Sequence, residues 1–526
     1  MTSRPLSLAE ALARAGADLP LGASPEAPFA GASADTRRLK PGAVFVALKG
    51  AARDGIDLLG EAKAKGAVAA VASLEGAARA FSSAAGTAAR RENATSQEAF
   101  AQGEPPLPVF VAADPRRAAA ILAALAQGES QPPVLAAVTG TSGKSSTVEF
   151  LRQIWGGLGR KAAALGTVGA AVANLPAELA EAGGLTTPDP ETLHEILARF
   201  AAAGAERFAF EASSHGLDQR RLDGARLAGG ALTNLGRDHL DYHPTTENYL
   251  AAKLRLFSEL LPPGAPAVLN ADDPTYEIAA RIAKARRLRL LPVGFAAEAE
   301  AGIRILEAAP EAAGLRLRFR HEGREHGAFL GLVGGFQARN ALTAAALALG
   351  TGEEPEAVFA RIAGLKGVRG RMEPVAALAN GAQVYVDYAH KPEALAAALA
   401  ALRPHTSGRI HVVFGAGGDR DRGKRPLMGA AAAAGAGVVI VTDDNPRSEE
   451  PAAIRAAILA AAPQAREIGD RRAAIRAAVA GLGPGDSLLV AGKGHEPGQI
   501  VKGVTHPFDD AEEVRRALAD PTGACA

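Results

Sequence analysis

The chain has 526 residues, 48% hydrophobic and only 4% aromatic, enough for several domains whose helices pack on small side chains. Its 58 basic and 57 acidic residues leave a net charge of +1, which argues against nucleic acid or an anionic membrane as a partner. The single cysteine, Cys525, excludes an intrachain disulfide and a cysteine metal centre. No apolar run is long enough to cross a bilayer, and Arg4, Glu10 and Arg14 interrupt any signal-peptide core. A cytoplasmic protein without membrane insertion is expected.

The expected fold class is α/β in three domains. Residues 1–129 read as a small α/β domain with short strands at 43–47 and 67–71. Residues 78–107 show little periodicity and are expected to form a flexible surface insertion, after which a strand at 109–111 resumes the domain. A Gly-Glu-Ser-Gln-Pro-Pro linker at 128–133 leads into a central domain, 130–369. Its strands are expected at 134–138, 208–212, 230–233 and 267–270, alternating with helices as in a parallel sheet. Antiparallel strands follow over 302–320, and a helix over 341–349 closes the section. The third domain, 370–526, has strands at 384–386, 411–414, 438–441 and 487–490. Each runs into a polar or glycine-rich loop, and a doubly wound, Rossmann-like sheet would gather those loops at its carboxyl edge.

The most informative stretch is Val138-Thr-Gly-Thr-Ser-Gly-Lys-Ser-Ser-Thr147. A strand ending in a glycine turn, Gly140–Gly143, and feeding a helix near Ser145 aims backbone N–H groups and a helix N-terminus at an anion. Lys144 adds a mobile positive charge, and the Ser145 hydroxyl stands where Mg²⁺ of a nucleoside triphosphate would be held. The spacing departs from the general phosphate-loop rule, because Val138 occupies the first glycine position.

Glu211 lies near the end of the 208–212 strand, where a carboxylate can approach such a metal; alternatively, Ser213 and Ser214 after it simply build a turn or helix cap. The loop Thr233-Asn-Leu-Gly-Arg-Asp-His-Leu-Asp-Tyr-His243 offers His239 or Asp238 as a further ligand or to position water, in an oxygen-rich set suited to Mg²⁺. Lys253 sits on a helix expected over 245–261, beside the apolar stripe Leu250, Leu254 and Phe257. From the residues alone it reads as a snorkelling surface lysine.

These segments, with Leu-Thr-Thr-Pro-Asp-Pro at 185–190, Glu-Ala-Ser-Ser-His at 211–215, Asn270-Ala-Asp-Asp-Pro, Gly370-Arg-Met-Glu, Val386-Asp-Tyr-Ala-His, Gly417-Gly-Asp-Arg-Asp-Arg-Gly-Lys-Arg-Pro and Ala491-Gly-Lys-Gly-His-Glu, resemble the Mur ligases of peptidoglycan synthesis. Their order, over about residues 35–510, most resembles the tripeptide-synthetase branch that adds meso-diaminopimelate. The family uses a compact Gly-Thr-x-Gly-Lys-[Ser/Thr]-[Ser/Thr] loop, which accounts for the spacing. Ser142 stands where Asn is usual, and Ser145 and Ser146 where Thr is usual.

The resemblance implies an ATP- and Mg²⁺-dependent amide ligase. ATP would phosphorylate the D-glutamate side-chain carboxyl of UDP-MurNAc-L-Ala-D-Glu, and an amino group of meso-diaminopimelate would then displace phosphate. It implies that Lys253 is carbamylated by CO₂ and shares the metal with Ser145, Glu211 and His239. Gly140, Thr141, Ser142, Gly143, Lys144, Ser145 and Ser146 would bind ATP, with Asn340, Arg371, Asp387 and His390; Lys391 stands where the family usually has Thr. Thr186, Thr187, Ser213, Gln219 and Arg221 would grip the muramoyl peptide. Thr36, in Asp35-Thr-Arg37, and the loop Ala51, Ala52 and Arg53 would form a uridine pocket in the N-terminal domain.

The amino-acid choice rests on Asp444, Asn445, Pro446 and Arg447. A guanidinium can take diaminopimelate's second carboxylate bidentately, so Arg447 has a reason to be there. Arg420 would share that load, while Glu496 and the Gly492 carbonyl receive the distal ammonium. The same Asn-Pro-Arg also reads as a plain turn and helix start. A lysine-adding ligase, which should lack an arginine at 447, is the nearest alternative. A folate polyglutamate ligase would need neither the Asp-Asn-Pro-Arg loop nor a uridine pocket, a phosphate-loop kinase or GTPase would leave the third-domain loops unexplained, and a non-enzymatic binding protein would have no use for Lys144, Glu211 and His239. A monomer without nucleic-acid partners is expected.

Overall fold

The computed structural model describes residues 6–18, 28–50, 53–84, 105–182, 184–236, 238–239, 241–297 and 302–520. They fall into two compact units: 1–141 with 159–267 and 277–289, and 142–158 with 268–276 and 290–526.

In the first unit, strands β1 (Ala17–Asp18), β2 (Ala32–Ser33), β3 (Val44–Val46), β4 (Ala69–Ala72) and β5 (Val109–Ala112) form a sheet in the order β1-β5-β4-β3-β2. Val44, Val46, Ala69 and Val71 face one core with Leu12 and Leu122, and Phe45, Ala70 and Ala72 face another. That two-sided burial explains the continuous apolar runs of these strands. The expected insertion begins late: residues 78–84 belong to the helix Leu74–Ala84, because Ala77 and Ala80, three apart, pack into the second core. The rest of that expectation, 85–104, lies outside the described residues, and Leu107 is again buried. The 128–133 linker is tied down: Gln131 and Arg226 exchange side-chain-to-backbone bonds of 2.9 and 3.1 Å, and Arg14 pairs with Glu129.

The same unit contains β6 (Val134–Thr139), β7 (Ala162–Gly166), β8 (Gly169–Ala173), β9 (Glu181–Ala182), β10 (Arg207–Glu211) and β11 (Gly229–Leu232). Strand β6 pairs in parallel with both β10 and β11, and β10 with β7. The register sets Glu211 opposite Val138 and Leu232 opposite Thr139, so the segments leaving these strands share one carboxyl edge.

Strands β12 (Pro266–Asn270) and β13 (Arg289–Gly294), assigned to the second unit from residues 268 and 290 on, precede an antiparallel meander in that unit, β14 (Ile303–Glu311), β15 (Gly314–His321) and β16 (Arg324–Leu330), which runs ten residues beyond the expected 320. Helices Lys144–Gly157 and Phe336–Gly350 pack together; the second is buried almost all round on alanine and leucine, which hides its periodicity. A further sheet takes β17 (Glu373–Ala377), β18 (Gln383–Asp387), β19 (Ile410–Phe414), β20 (Val438–Val441), β21 (Arg466–Glu467) and β22 (Ser487–Ala491) in the order β17-β18-β22-β19-β20-β21. All its pairs are parallel except β17 with β18. The loops after β18, β19, β20 and β22 leave one edge, as the doubly wound reading expects. A hairpin, β23 (Gly498–Val501) with β24 (Val504–Pro507), follows.

Candidate active site

The phosphate loop is a strand-to-helix turn whose conformation depends on two glycines. Gly140 has φ +142°, and a Cβ there would lie 1.9 Å from Thr233 Oγ1. Gly143, at φ +86°, caps the helix Lys144–Gly157, and a Cβ there would sit 2.5 Å from Asn340 Oδ1. Asn340 is buried at the start of its helix and donates through Nδ2 to Gln337 Oε1 at 3.1 Å. Lys144 and Ser145 are half-buried, Ser142 is exposed and Ser146 is buried.

In the first unit the carboxyl edge is completed by side chains from three later segments. Thr141 donates its backbone N–H to the Asn234 carbonyl at 2.9 Å, and its hydroxyl meets Tyr249 Oη at 3.1 Å. Burial pushes Tyr249 up to about 12, so it stays a phenol. Lys253 overturns the surface reading: it is 1% exposed, donates from Nζ to the Gly140 carbonyl at 2.8 Å, and lies 4.3 Å from the Tyr249 ring centroid. The helix Thr246–Arg255 turns this face towards the loop after β6, so the stripe beside Lys253 packs into protein and the ammonium goes with it.

Glu211 is 1% exposed, and its Oε1 accepts the Thr167 N–H at 2.8 Å. Ser213 caps the helix Ser214–Asp218, accepting from Gly216 N–H at 3.0 Å, as the turn and helix-cap reading expects. His239 adopts φ +54°, and its backbone N–H donates to Asp238 Oδ1 at 2.9 Å; its ring centroid lies 4.9 Å from that of His215. Among the described residues no three His, Cys, Asp or Glu side chains gather into a metal cluster.

The expected muramoyl-peptide residues form one connected chain. Thr187 donates to the Glu211 carbonyl at 2.8 Å and accepts from Ser213 N–H at 2.9 Å, while Thr186 Oγ1 meets Thr167 Oγ1 at 3.0 Å. Arg221 donates to the Thr187 carbonyl at 2.5 Å and to Gln219 Oε1 at 2.7 Å. Gln219 and Arg221 line a cavity of about 300 Å³ with Ser33, Asp35, Arg38 and Arg116. Thr36 is buried beside it in sequence and donates to Glu61 Oε1. Arg53 is exposed, and Ala51 and Ala52 lie outside the described residues.

In the second unit, Asp387 ends β18 and accepts the Met372 N–H at 2.7 Å, while burial raises its pKa against the pull of Arg371. The Arg371 guanidinium stacks 4.8 Å from the Tyr388 ring centroid. His390 Nδ1 bonds the Tyr388 carbonyl at 2.9 Å, and burial lowers its pKa. Asp444, Asn445 and Pro446 are buried after β20. Arg447, at φ +52°, donates to the Gly418 carbonyl at 2.8 Å. Its backbone is clamped to β23, donating to the Ile500 carbonyl at 3.0 Å and accepting from Lys502 N–H at 2.6 Å. Asn445 Nδ2 donates to Glu496 Oε2 at 2.8 Å, and Gly492 N–H donates to the Asp387 carbonyl at 3.1 Å. Arg420 is exposed.

The sequence reading passed over a strut beneath these loops. Arg471 and Asp510 are both 0% exposed and pair through two 2.7 Å bonds. Arg471 also donates to the Ala491 carbonyl at 2.9 Å, just before Gly492, and reaches the Asp443 carbonyl at 3.5 Å, just before Asp444. An arginine at the start of a helix normally signals a solvated residue, so no local pattern marks it.

Family models match three stretches: the Mur ligase family catalytic domain over residues 28–124, the Mur ligase middle domain over 138–348, and the Mur ligase glutamate ligase domain over 370–494. The chain belongs to the Mur ligase family. It is 49% identical over 497 residues to the UDP-N-acetylmuramoyl-L-alanyl-D-glutamate--2,6-diaminopimelate ligase of Chelativorans sp. (strain BNC1), with 94% of this chain and 96% of that relative covered. The protein of that name from Bradyrhizobium diazoefficiens is 49% identical over 490 residues, covering 93% and 94%. A solved structure of a ligase of the same name superposes at TM-score 0.70 and 31% identity over 99% of this chain and 100% of that one. A MurF ligase from Thermotoga maritima in complex with ADP shares the fold at TM-score 0.56 and 18% identity, covering 93% and 97%. The Mur ligase fold, with N-terminal, central and C-terminal domains, is therefore the fold of this chain. No described helix is long and apolar enough to cross a membrane.

Proposed function

We propose that this protein is an ATP-dependent amide ligase that joins meso-2,6-diaminopimelate to UDP-N-acetylmuramoyl-L-alanyl-D-glutamate, a step of peptidoglycan precursor synthesis in the cytoplasm. The observation that carries the reading is the Asp444–Arg447 loop, which presents Arg447 beside the Asn445–Glu496 pair in a chain 49% identical to relatives bearing that activity in their names. The γ-phosphoryl of ATP passes to the D-glutamate side-chain carboxylate, forming an O–P bond as the bond to ADP breaks. An amino nitrogen of diaminopimelate then attacks the acyl carbon; the carbon–oxygen bond to phosphate breaks, and the amine's proton leaves to solvent.

Lys144 and the turn residues Gly140, Thr141, Ser142, Gly143, Ser145 and Ser146 cradle the phosphates, with Asn340, Arg371, Asp387 and His390 completing the nucleotide contacts. Thr36, Arg53, Thr186, Thr187, Ser213, Gln219 and Arg221 hold the nucleotide-linked peptide, and Ala51 and Ala52 extend that pocket. Arg447, supported by Arg420, takes the distal carboxylate, and Glu496 with the Gly492 carbonyl takes the distal ammonium. The domain boundaries that go with these roles are 1–129, 130–369 and 370–526, in a monomer.

The donor set fits Mg²⁺, because the Ser145 hydroxyl, the Glu211 carboxylate and a carbamate are hard oxygen donors. Ser145, Glu211, His239 and a carbamate on Lys253 would hold it, and when bound it would neutralise charge developing on the transferred phosphoryl group. Carbamylation replaces an ammonium hydrogen by a carboxylate and releases protons, yet leaves one N–H on Nζ for the Gly140 carbonyl. A coupled phosphate-release assay tests the reading: release should require ATP, the UDP-linked dipeptide and diaminopimelate together. Release at the same rate with L-lysine, or without any amino acid, would overturn it.

A further inference from the structure

Lys493 is 0% exposed, belongs to none of the substrate contacts above, and sits at the junction of three loops. Its ammonium donates to Asn445 Oδ1 at 3.1 Å and lies 3.5 Å from Glu496 Oε2. Asn445 Oδ1 also accepts the Ile500 N–H at 2.9 Å. With both donors on Oδ1, the amide has one orientation, and its Nδ2 faces Glu496 Oε2. Glu496 is thereby held through one oxygen. Among the described residues its Oε1 has only a long 3.5 Å contact from the Tyr388 hydroxyl and is the oxygen left for a ligand.

The charges around the loop add a second consequence. Asp444 and Glu496 are opposed by Arg447, Lys493 and Lys424, the last interacting with Asp444 before Asp421, while the neighbouring Arg471 is neutralised by Asp510. A pocket carrying charges of both signs suits a side chain that ends in both an ammonium and a carboxylate. Without the Lys493 charge the same pocket has one positive charge fewer and favours a bare ammonium more. Resting on the proposed diaminopimelate reading, we infer that Lys493 is a positioning and specificity-determining residue: it orients Glu496 through Asn445 and sets the pocket's charge for a zwitterionic side-chain end over a cationic one.

Lys493→Met, which keeps the chain length and removes the charge, and Lys493→Arg, which keeps the charge, test this with steady-state kinetics on the full chain. Lys493→Met should raise the diaminopimelate KM roughly 10–100-fold, the cost of a lost hydrogen bond to a charged group. It should leave the ATP KM near the parent value and move the ratio of kcat/KM for diaminopimelate over L-lysine towards lysine by at least about tenfold. Lys493→Arg should keep the parent ratio. A merely structural lysine would lower thermal stability and scale all substrates alike, with the ratio unmoved; that result overturns the inference. Arg447→Lys serves as the control: if it raises the diaminopimelate KM while Lys493→Met does not, this inference fails and the substrate reading stands. If neither variant affects diaminopimelate more than ATP, the substrate reading itself fails.

Discussion

Lys253→Met separates a structural lysine from a functional one. The variant loses the 2.8 Å bond to the Gly140 carbonyl, worth about 1.5–3 kcal/mol for a charged donor, and the cation 4.3 Å from the Tyr249 ring centre, about 0.5–2 kcal/mol. Against this, an ammonium that is 1% exposed no longer has to be stripped of water, a penalty of several kcal/mol per buried ion. These terms oppose each other at similar size, so folding stability should move by no more than about 2 kcal/mol either way. Turnover has no such compensation. If the carbamate helps hold the Mg²⁺ that neutralises the transferred phosphoryl group, its loss should slow kcat by roughly 10²–10³-fold, the usual effect of removing one preorganised electrostatic group. Phosphate release under saturating substrates measures the rate, and urea unfolding the stability. Intact mass of the parent enzyme, with and without bicarbonate, should show one added CO₂ that the variant lacks. A Lys253→Met enzyme turning over at the parent rate would refute the catalytic role and leave a strut for the loop.

Gly143→Ala should raise the ATP KM sharply with the fold intact, because φ +86° costs a residue with a Cβ about 1 kcal/mol and the new methyl would lie 2.5 Å from Asn340 Oδ1. An unchanged ATP KM would contradict that packing argument. His194, 2% exposed on the helix Pro190–Ala202, is pushed by burial from 6.5 down to about 4, the charge of Arg226 adding to the effect. Its folded pKa lies below its unfolded one, so the unfolded chain binds the proton first as pH falls. Stability present above pH 6.5 should therefore be lost progressively towards pH 4, by at most about 3 kcal/mol. His194→Leu should flatten that part of the stability–pH curve, and parallel curves for parent and variant would contradict the assignment.

Much of the fold was legible because its strands are buried on both faces and so read as unbroken apolar runs. β6, β10 and β11, and β18, β19, β20 and β22 of the last sheet, fall within a residue or two of their expected limits, whereas the edge strands β17 and β21 were not expected. The phosphate loop was legible because its glycines meet backbone demands that other residues cannot, as Gly140 and Gly143 show. The helix Leu74–Ala84 was partly lost in the expected insertion, since alanine at 77 and 80 carries too little hydrophobic contrast to mark a buried face. Lys253 was misread from local pattern for a different reason. An apolar stripe beside a lysine looks the same whether the helix faces water or another loop, and only the packing of that helix beside Gly140 decides. Arg471 and Asp510, thirty-nine residues apart, meet only when two helices are assembled, so neither carried a local signal.

The central claim is that the Asp444–Arg447 loop selects diaminopimelate in a reaction driven by ATP at the phosphate loop. Phosphate release with the UDP-linked dipeptide, titrated in parallel with meso-diaminopimelate and L-lysine, measures it directly. The account predicts release that depends on diaminopimelate and is far weaker with lysine. Equal kcat/KM for the two amino acids would contradict it.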